Sequence, residues 1–113
     1  MIKVLVQISK RKDISMDAFI RYYEENHVPL VNTLLPYYAG YRRNYLIEPI
    51  YPPQSPDDYH AITELLFADE AAYRDWGEAL RNDATVARIR ADEANFVDSA
   101  VTRMWRVRDE GHA

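Results

Sequence analysis

Across residues 15–36 the apolar positions Met16, Phe19, Ile20, Tyr23, Leu30, Val31 and Leu34 recur at spacings of three and four. That period predicts an amphipathic helix with one stripe turned to a core. His27 falls on the same stripe, four residues after Tyr23 and three before Leu30, so its imidazole points inward with them. Pro29 disturbs the helix, because its ring clashes with the carbonyl of Glu25 and disfavours helical geometry at Val28. A kink beside an inward histidine makes a pocket wall. The plain alternative is a satisfied core histidine that donates one ring nitrogen to a carbonyl and does no chemistry.

Elsewhere the period is mostly two. Ile2, Val4, Val6 and Ile8 alternate with Lys3, Leu5, Gln7 and Ser9, which predicts an opening strand. Ser15 is a good N-cap for the first helix, with Asp17 at the positive end of its dipole. Gly40 opens a second strand over residues 41–48, with Tyr41, Arg43, Tyr45 and Ile47 on one face and Arg42, Asn44, Leu46 and Glu48 on the other. The run EPIYPPQSPDD holds four of the six prolines and reads as an exposed connector. A third strand over residues 59–67 sets Tyr59, Ala61, Thr63, Leu65 and Phe67 against His60, Ile62, Glu64 and Leu66. Asp69 caps a helix whose inward stripe is Tyr73, Trp76 and Leu80. Asn82 and Asp83 interrupt and recap it, and Val86, Ile89, Glu93, Phe96 and Val97 continue at helical spacing. Residues 99–107, SAVTRMWRV, alternate as a fourth strand, and the polar tail 109–113 is expected to fray, leaving His112 without a role.

The order strand, helix, strand, strand, helix, strand predicts a split βαβ pair. This is the ferredoxin-like βαββαβ α+β sandwich, a four-stranded antiparallel sheet with helices on one face, in one domain over residues 1–108. The strands carry apolar side chains on both faces, so the second sheet face is expected to pack on another copy as a homodimer.

Composition narrows the chemistry. A net charge of -4 argues against a nucleic-acid partner. With no cysteine, disulfides, thiolate nucleophiles and cysteine-based metal sites are excluded. Only three glycines occur and none cluster, so no phosphate-cradling motif calls for a nucleotide cofactor. The N-terminus reads as a strand rather than a signal peptide, and no apolar run is long enough for a bilayer. A cytoplasmic protein with no membrane partner is expected. Nine tyrosines suit a pocket for an aromatic or cyclic ligand.

Several of these segments carry a family resemblance: the opening MIKVLVQISKR, the helix FIRYYEENHVPLV with its His-x-Pro-Leu, the strands YRRNYL and YHAITELLF, and the late ADEANFVD. Together they resemble the EthD-like family of dimeric α+β barrel proteins over residues 2 to about 107. The resemblance implies a cofactor-free protein of small-molecule metabolism; members include polyketide-tailoring decarboxylases and a relative of muconolactone methylisomerase. It further implies a ligand cleft between sheet and helices. The family's helix histidine falls on His27, with Tyr22 or Tyr23 beside it, and the late Asp motif falls on Asp92 and Asp98. The proline-rich connection departs from the family pattern.

From these residues a site is expected with His27, Tyr23 and Asp92 as the catalytic group. An imidazole with a pKa of about 6.5 can act as acid or base at neutral pH. Asp92 or Asp98 would hold its tautomer, and Tyr23 would donate to a developing oxyanion. Asp98 has the simpler reading of capping the turn into the fourth strand. Tyr22, Arg42, Asn44, His60 and Trp76 are the expected substrate-binding residues. Arg42 and Asn44 share a strand face, where one could hold a carboxylate and the other a carbonyl. Surface or dimer salt bridges are the competing role for the arginines, and core packing is that for Trp76. His27 with His60 does not make a metal site, for want of a close pair such as His-x-x-x-His. The expected activity is a cofactor-independent lyase or isomerase step that moves a proton on a small cyclic or aromatic acid. The alternatives are a cofactor-free monooxygenase of the same fold and a non-catalytic ligand-binding protein.

Overall fold

The alternation of the first and third strands becomes one wall of the core. The computed structural model describes residues 1–111, so His112 lies outside the described residues. β1 (Ile2–Ile8) buries Val4, Val6 and Ile8, and β3 (Ala61–Phe67) buries Ala61, Thr63, Leu65 and Phe67. The two are antiparallel, with Val4 opposite Leu65 and Val6 opposite Thr63. Cross-strand partners point to the same side, so these residues form a continuous apolar face. β2 (Gly40–Tyr45) and β4 (Arg103–Val107) complete a sheet of order β2-β3-β1-β4, antiparallel throughout. That is the order of the split βαβ pair, and the fold is the expected ferredoxin-like α+β sandwich. Gly40 begins β2 hard against β3, where a Cβ would come within 2.9 Å of Leu66 Cδ1.

The helices cover that one face. α1 (Met16–Tyr22) starts at Ser15, whose hydroxyl accepts from the Ala18 N–H. α2 (Val28–Leu34) follows without a break in the chain path. α3 (Glu70–Ala79) and α4 (Asp83–Glu93) are capped by Asp69 and Asn82, as the sequence predicts. Phe19, Tyr23, Phe67, Phe96 and Thr63 are almost wholly enclosed between the layers. The opposite sheet face, with Leu5, Ile62, Leu66, Trp105 and Val107 among Lys3, Arg42 and Glu64, has no covering layer among the described residues. The molecule is accordingly thin, 40 × 40 × 22 Å. Among the described residues no helix is long and apolar enough to cross a membrane.

Several boundaries differ from the sequence expectation, and α4 ends at Glu93, so that Phe96 and Val97 lie beyond the helix and Val97 bridges to Lys10. The helix of residues 15–36 is divided, because a π-helical turn (Tyr23–His27) separates α1 from α2. β4 starts at Arg103, since Asp98 accepts from the Ala100 N–H and folds Ser99–Val101 into a 3-10 turn. β2 stops at Tyr45 and β3 starts at Ala61, with one further bond from the Leu46 N–H to the His60 carbonyl before the chain leaves for the proline-rich run. The start of the tail is not free either: Asp109 pairs with Lys3 at 3.0 Å.

Candidate active site

The residues that reach the core from the first helical segment are Phe19, Tyr23, His27, Val31 and Leu35, every fourth position. In a pure α-helix, four-residue steps overshoot a full turn by about 40° each, and the stripe would wind off the sheet. The π turn is wider, with the Val28 N–H reaching back to the Tyr23 carbonyl, and it offsets that drift. It also ends just before Pro29, which sits in the first turn of α2, where a missing N–H costs little. Glu24 pins the turn to the sheet. Its carboxylate accepts from Arg43 Nε at 2.9 Å and Nη2 at 2.7 Å, and from the Tyr45 hydroxyl. Those contacts hold the Glu24 carboxyl below its ordinary range, Arg43 being the main cause.

The same geometry aims His27 at Asp92 on α4. Nδ1 lies 2.8 Å from Asp92 Oδ2, and the two side chains are only 8% and 13% exposed. The other carboxylate oxygen accepts from the Tyr22 hydroxyl at 2.7 Å, and that hydroxyl accepts in turn from Asn95 Nδ2 at 2.8 Å. Phe96 braces the imidazole, its ring centroid 5.1 Å away and itself packed on Tyr23 at 5.3 Å. Burial lowers the His27 pKa below its usual value, only partly countered by Asp92. The ring is therefore neutral at pH 7. With Nδ1–H donated to the carboxylate, Nε2 keeps its lone pair.

His27 lines an inner cavity of ≈ 80 Å³ between sheet and helices, together with Tyr23, Tyr38, Tyr41, Thr63, Trp76 and Glu93. Trp76 donates from Nε1 to the Tyr38 hydroxyl at 3.1 Å, so it is both core and cavity wall. The Tyr23 and Thr63 hydroxyls are 2.7 Å apart, and such a pair uses one proton and leaves the other to donate elsewhere. Burial raises the phenol pKa of Tyr23, Tyr38 and Tyr41, which keeps all three as neutral donors. Glu93 carries a further carboxyl to the cavity, and desolvation pushes its pKa up, with the neighbouring Asp92 charge adding to it.

The expected residues divide sharply. His27, Tyr23, Asp92 and Trp76 come together. Tyr22 is beside them, yet its hydroxyl faces Asp92 and it does not line the cavity, so its place is behind the histidine's partner rather than against a substrate. Arg42 and Asn44 point away from the cavity, onto the uncovered sheet face, where Asn44 donates to the Ile62 carbonyl and to Glu64. Strand alternation puts Arg43 on the helix side instead, and Glu24 occupies it. His60 sits at the sheet end in a separate groove with Ser9, Lys10, Pro56 and Asp98, its Nδ1 accepting from the Lys10 N–H at 3.1 Å. Asp98 is the cap of a turn. Among the described residues no group of three His, Asp or Glu side chains is arranged to hold a metal ion. Glu93, Thr63, Tyr38 and Tyr41 escaped the sequence reading as site residues. The signal for Glu93 was a carboxylate four residues after Ile89 on an otherwise apolar stripe.

Comparison with known proteins agrees with this geometry at the level of fold. A search of curated proteins finds no match to the sequence. Among solved structures, an ethyl tert-butyl ether D (EthD) family protein from Bacillus halodurans superposes with a TM-score of 0.67 at 15% identity, covering 97% of this chain and 100% of its own. An Arabidopsis thaliana protein gives a TM-score of 0.67 at 12% identity, over 100% of this chain and 99% of its own. A dimeric ferredoxin-like protein of unknown function from Bacteroides fragilis gives 0.57 at 8% identity, over 94% and 93%. The model of the EthD domain matches residues 11–100, which takes in the π turn, His27 and Asp92, and the chain belongs to that family.

Proposed function

We propose that the chain is a cofactor-independent acid/base enzyme that moves a proton on a small cyclic or aromatic acid, by lyase or isomerase chemistry. One observation carries the reading: His27, its Nδ1 held by Asp92, lines a cavity between sheet and helices. Nε2 takes a proton from a carbon or oxygen of the substrate and returns it elsewhere on the same molecule. A carboxylate behind Nδ1 stabilises the imidazolium that forms. The negative charge that develops on the substrate is met by the neutral phenols of Tyr23, Tyr38 and Tyr41. Such a step needs a substrate that carries its own electron sink, such as a phenol or lactone, and no metal or nucleotide takes part. The protein acts as a homodimer through the uncovered sheet faces, a reading supported by the dimeric Bacteroides fragilis structure of the same fold.

The test begins with native mass spectrometry of the purified protein to find a retained ligand, followed by its turnover in wild type and His27→Ala. Conversion by the wild type alone supports the acid/base enzyme. A ligand held equally by both and changed by neither would make the domain a carrier. Oxygen uptake during turnover would move it to the monooxygenases.

A further inference from the structure

The inner cavity is too small for the substrate it is meant to serve. At ≈ 80 Å³ it is well short of the roughly 150 Å³ that encloses a benzene ring. Beside it, however, lies an outer groove of ≈ 480 Å³ that runs between α4 and β4 over the turn Ser99–Val101. The two spaces share Leu80, Ile89, Glu93 and Met104 as lining residues, so they adjoin across these side chains. Glu93 stands at the junction, and its carboxyl has no hydrogen-bond or ion-pair partner among the described residues. The groove wall also holds Thr102, whose buried Oγ1 has no partner among the described residues, so the polar groups here are not consumed by the fold. Arg90 stands at the same groove, adding positive charge.

We propose that this groove is the subsite for the body of the substrate, and that Glu93 hydrogen-bonds a carbonyl or phenolic oxygen on it while only the reacting group enters the cavity beside His27. This rests on the acid/base reading and specifies its substrate class: a ring system, single or fused, with an oxygen substituent near the reacting carbon and an acidic group toward Arg90. Volume sets the first requirement, and the unpartnered carboxyl sets the second. Burial raises the Glu93 pKa, with the Asp92 charge adding to it and Arg90 opposing it, which moves the carboxyl toward the protonated form that can donate to a ligand oxygen.

The probe is 1-hydroxy-2-naphthoate, whose fused rings exceed the cavity and whose phenol and carboxylate match the groove. Amide and imidazole NMR shifts are followed on titration into the full chain, its Val86→Trp variant, which fills the groove from a residue that does not itself line the cavity, and Glu93→Ala. The expected result is saturable shifts at Val86, Ile89, Glu93 and Met104 together with the His27 ring. Val86→Trp abolishes them at an unchanged melting temperature, and Glu93→Ala weakens binding about threefold to tenfold, the usual effect of one hydrogen bond. Shifts confined to the His60 groove or the uncovered sheet face would overturn the proposal. So would no saturable shift in this groove, or a Val86→Trp variant that binds as the wild type does. The two readings fail separately: His27→Ala can lose turnover of a retained ligand while naphthoate ignores the groove, or naphthoate can seat there while His27→Ala turns over normally.

Discussion

At the scale of single residues the site turns on which form of His27 the fold prefers. Burial favours the neutral ring, so the folded pKa lies below the ordinary 6.5. The catalytic base is then present at and above neutrality, and turnover should rise with pH to a plateau with its midpoint on the acid side of 6.5. Stability follows the same sign. Below about pH 6.5 the unfolded chain binds a proton that the folded chain refuses, so stability falls as pH drops toward the folded pKa. His60, also lowered by burial, adds a slope of the same sign, and Glu93, raised, adds the opposite one. The clean measurement is therefore a difference: urea midpoints at pH 7.5 and 5.5 should fall further for wild type than for His27→Gln, and equal falls would contradict a buried neutral ring. Asp92→Asn keeps the shape but removes the negative charge and replaces one of the two acceptor oxygens with an amide donor, so Nδ1–H is no longer held by a carboxylate. It should cut kcat by about a hundredfold or more with little change in KM. Tyr22→Phe takes one hydrogen bond from Asp92 and should cost less, about threefold to tenfold. His27 was legible because it falls on an apolar stripe, whereas Asp92 came only from the family resemblance, which offered Asp98 equally. Arg42 and Asn44 were misplaced because alternation says which residues share a face, not which face the helices cover.

At the scale of elements the decisive feature is the π turn. Its trace in the sequence is the spacing itself, Phe19, Tyr23, His27, Val31 and Leu35, which a straight α-helix cannot keep on one line. Pro29 was read as a kink because its ring clash is local and certain. The extra backbone residue before it is settled only by packing, here the Arg43 and Tyr45 contacts to Glu24 from a strand nearly twenty residues on. Glu24 is more than a third exposed, so solvent screens the ion pair and its worth is that of a well-formed surface fork, about 0.5–1 kcal/mol. A double-mutant cycle of Glu24→Ala and Arg43→Ala should return a coupling of about that size. The single Glu24→Ala change should also lower kcat, because the turn that aims His27 is no longer clamped. A full coupling energy with kcat intact would leave the clamp structural only. The caps behaved as their side chains dictate, and Asn82→Ala should cost about 1 kcal/mol in thermal unfolding.

At the scale of the whole molecule the question is what covers the open face. Four strands of this length present on the order of 450 Å² on one side, short of the roughly 800 Å² per partner of a standard interface. The proline-rich connector can supply the rest, since Leu46, Ile47, Ile50 and Tyr51 are 43%, 81%, 96% and 90% exposed. The radius of gyration is 14.7 Å against about 13 Å for a compact chain of this size, in keeping with a sheet covered on one face. Trp105, near the middle of β4 and stacked under Arg103 at 4.5 Å, is the largest apolar side chain on the sheet face. Trp105→Glu should therefore convert a dimer to a monomer in sedimentation velocity. Ile50→Asp should shift the same equilibrium less far if the connector reaches across. Because His27 and its cavity lie on the other side of the sheet, the monomer should retain its fold and the titration of the His27 ring. A wild type that sediments as a monomer at every concentration would remove the dimer from the proposal and leave the chemistry of the helix face untouched.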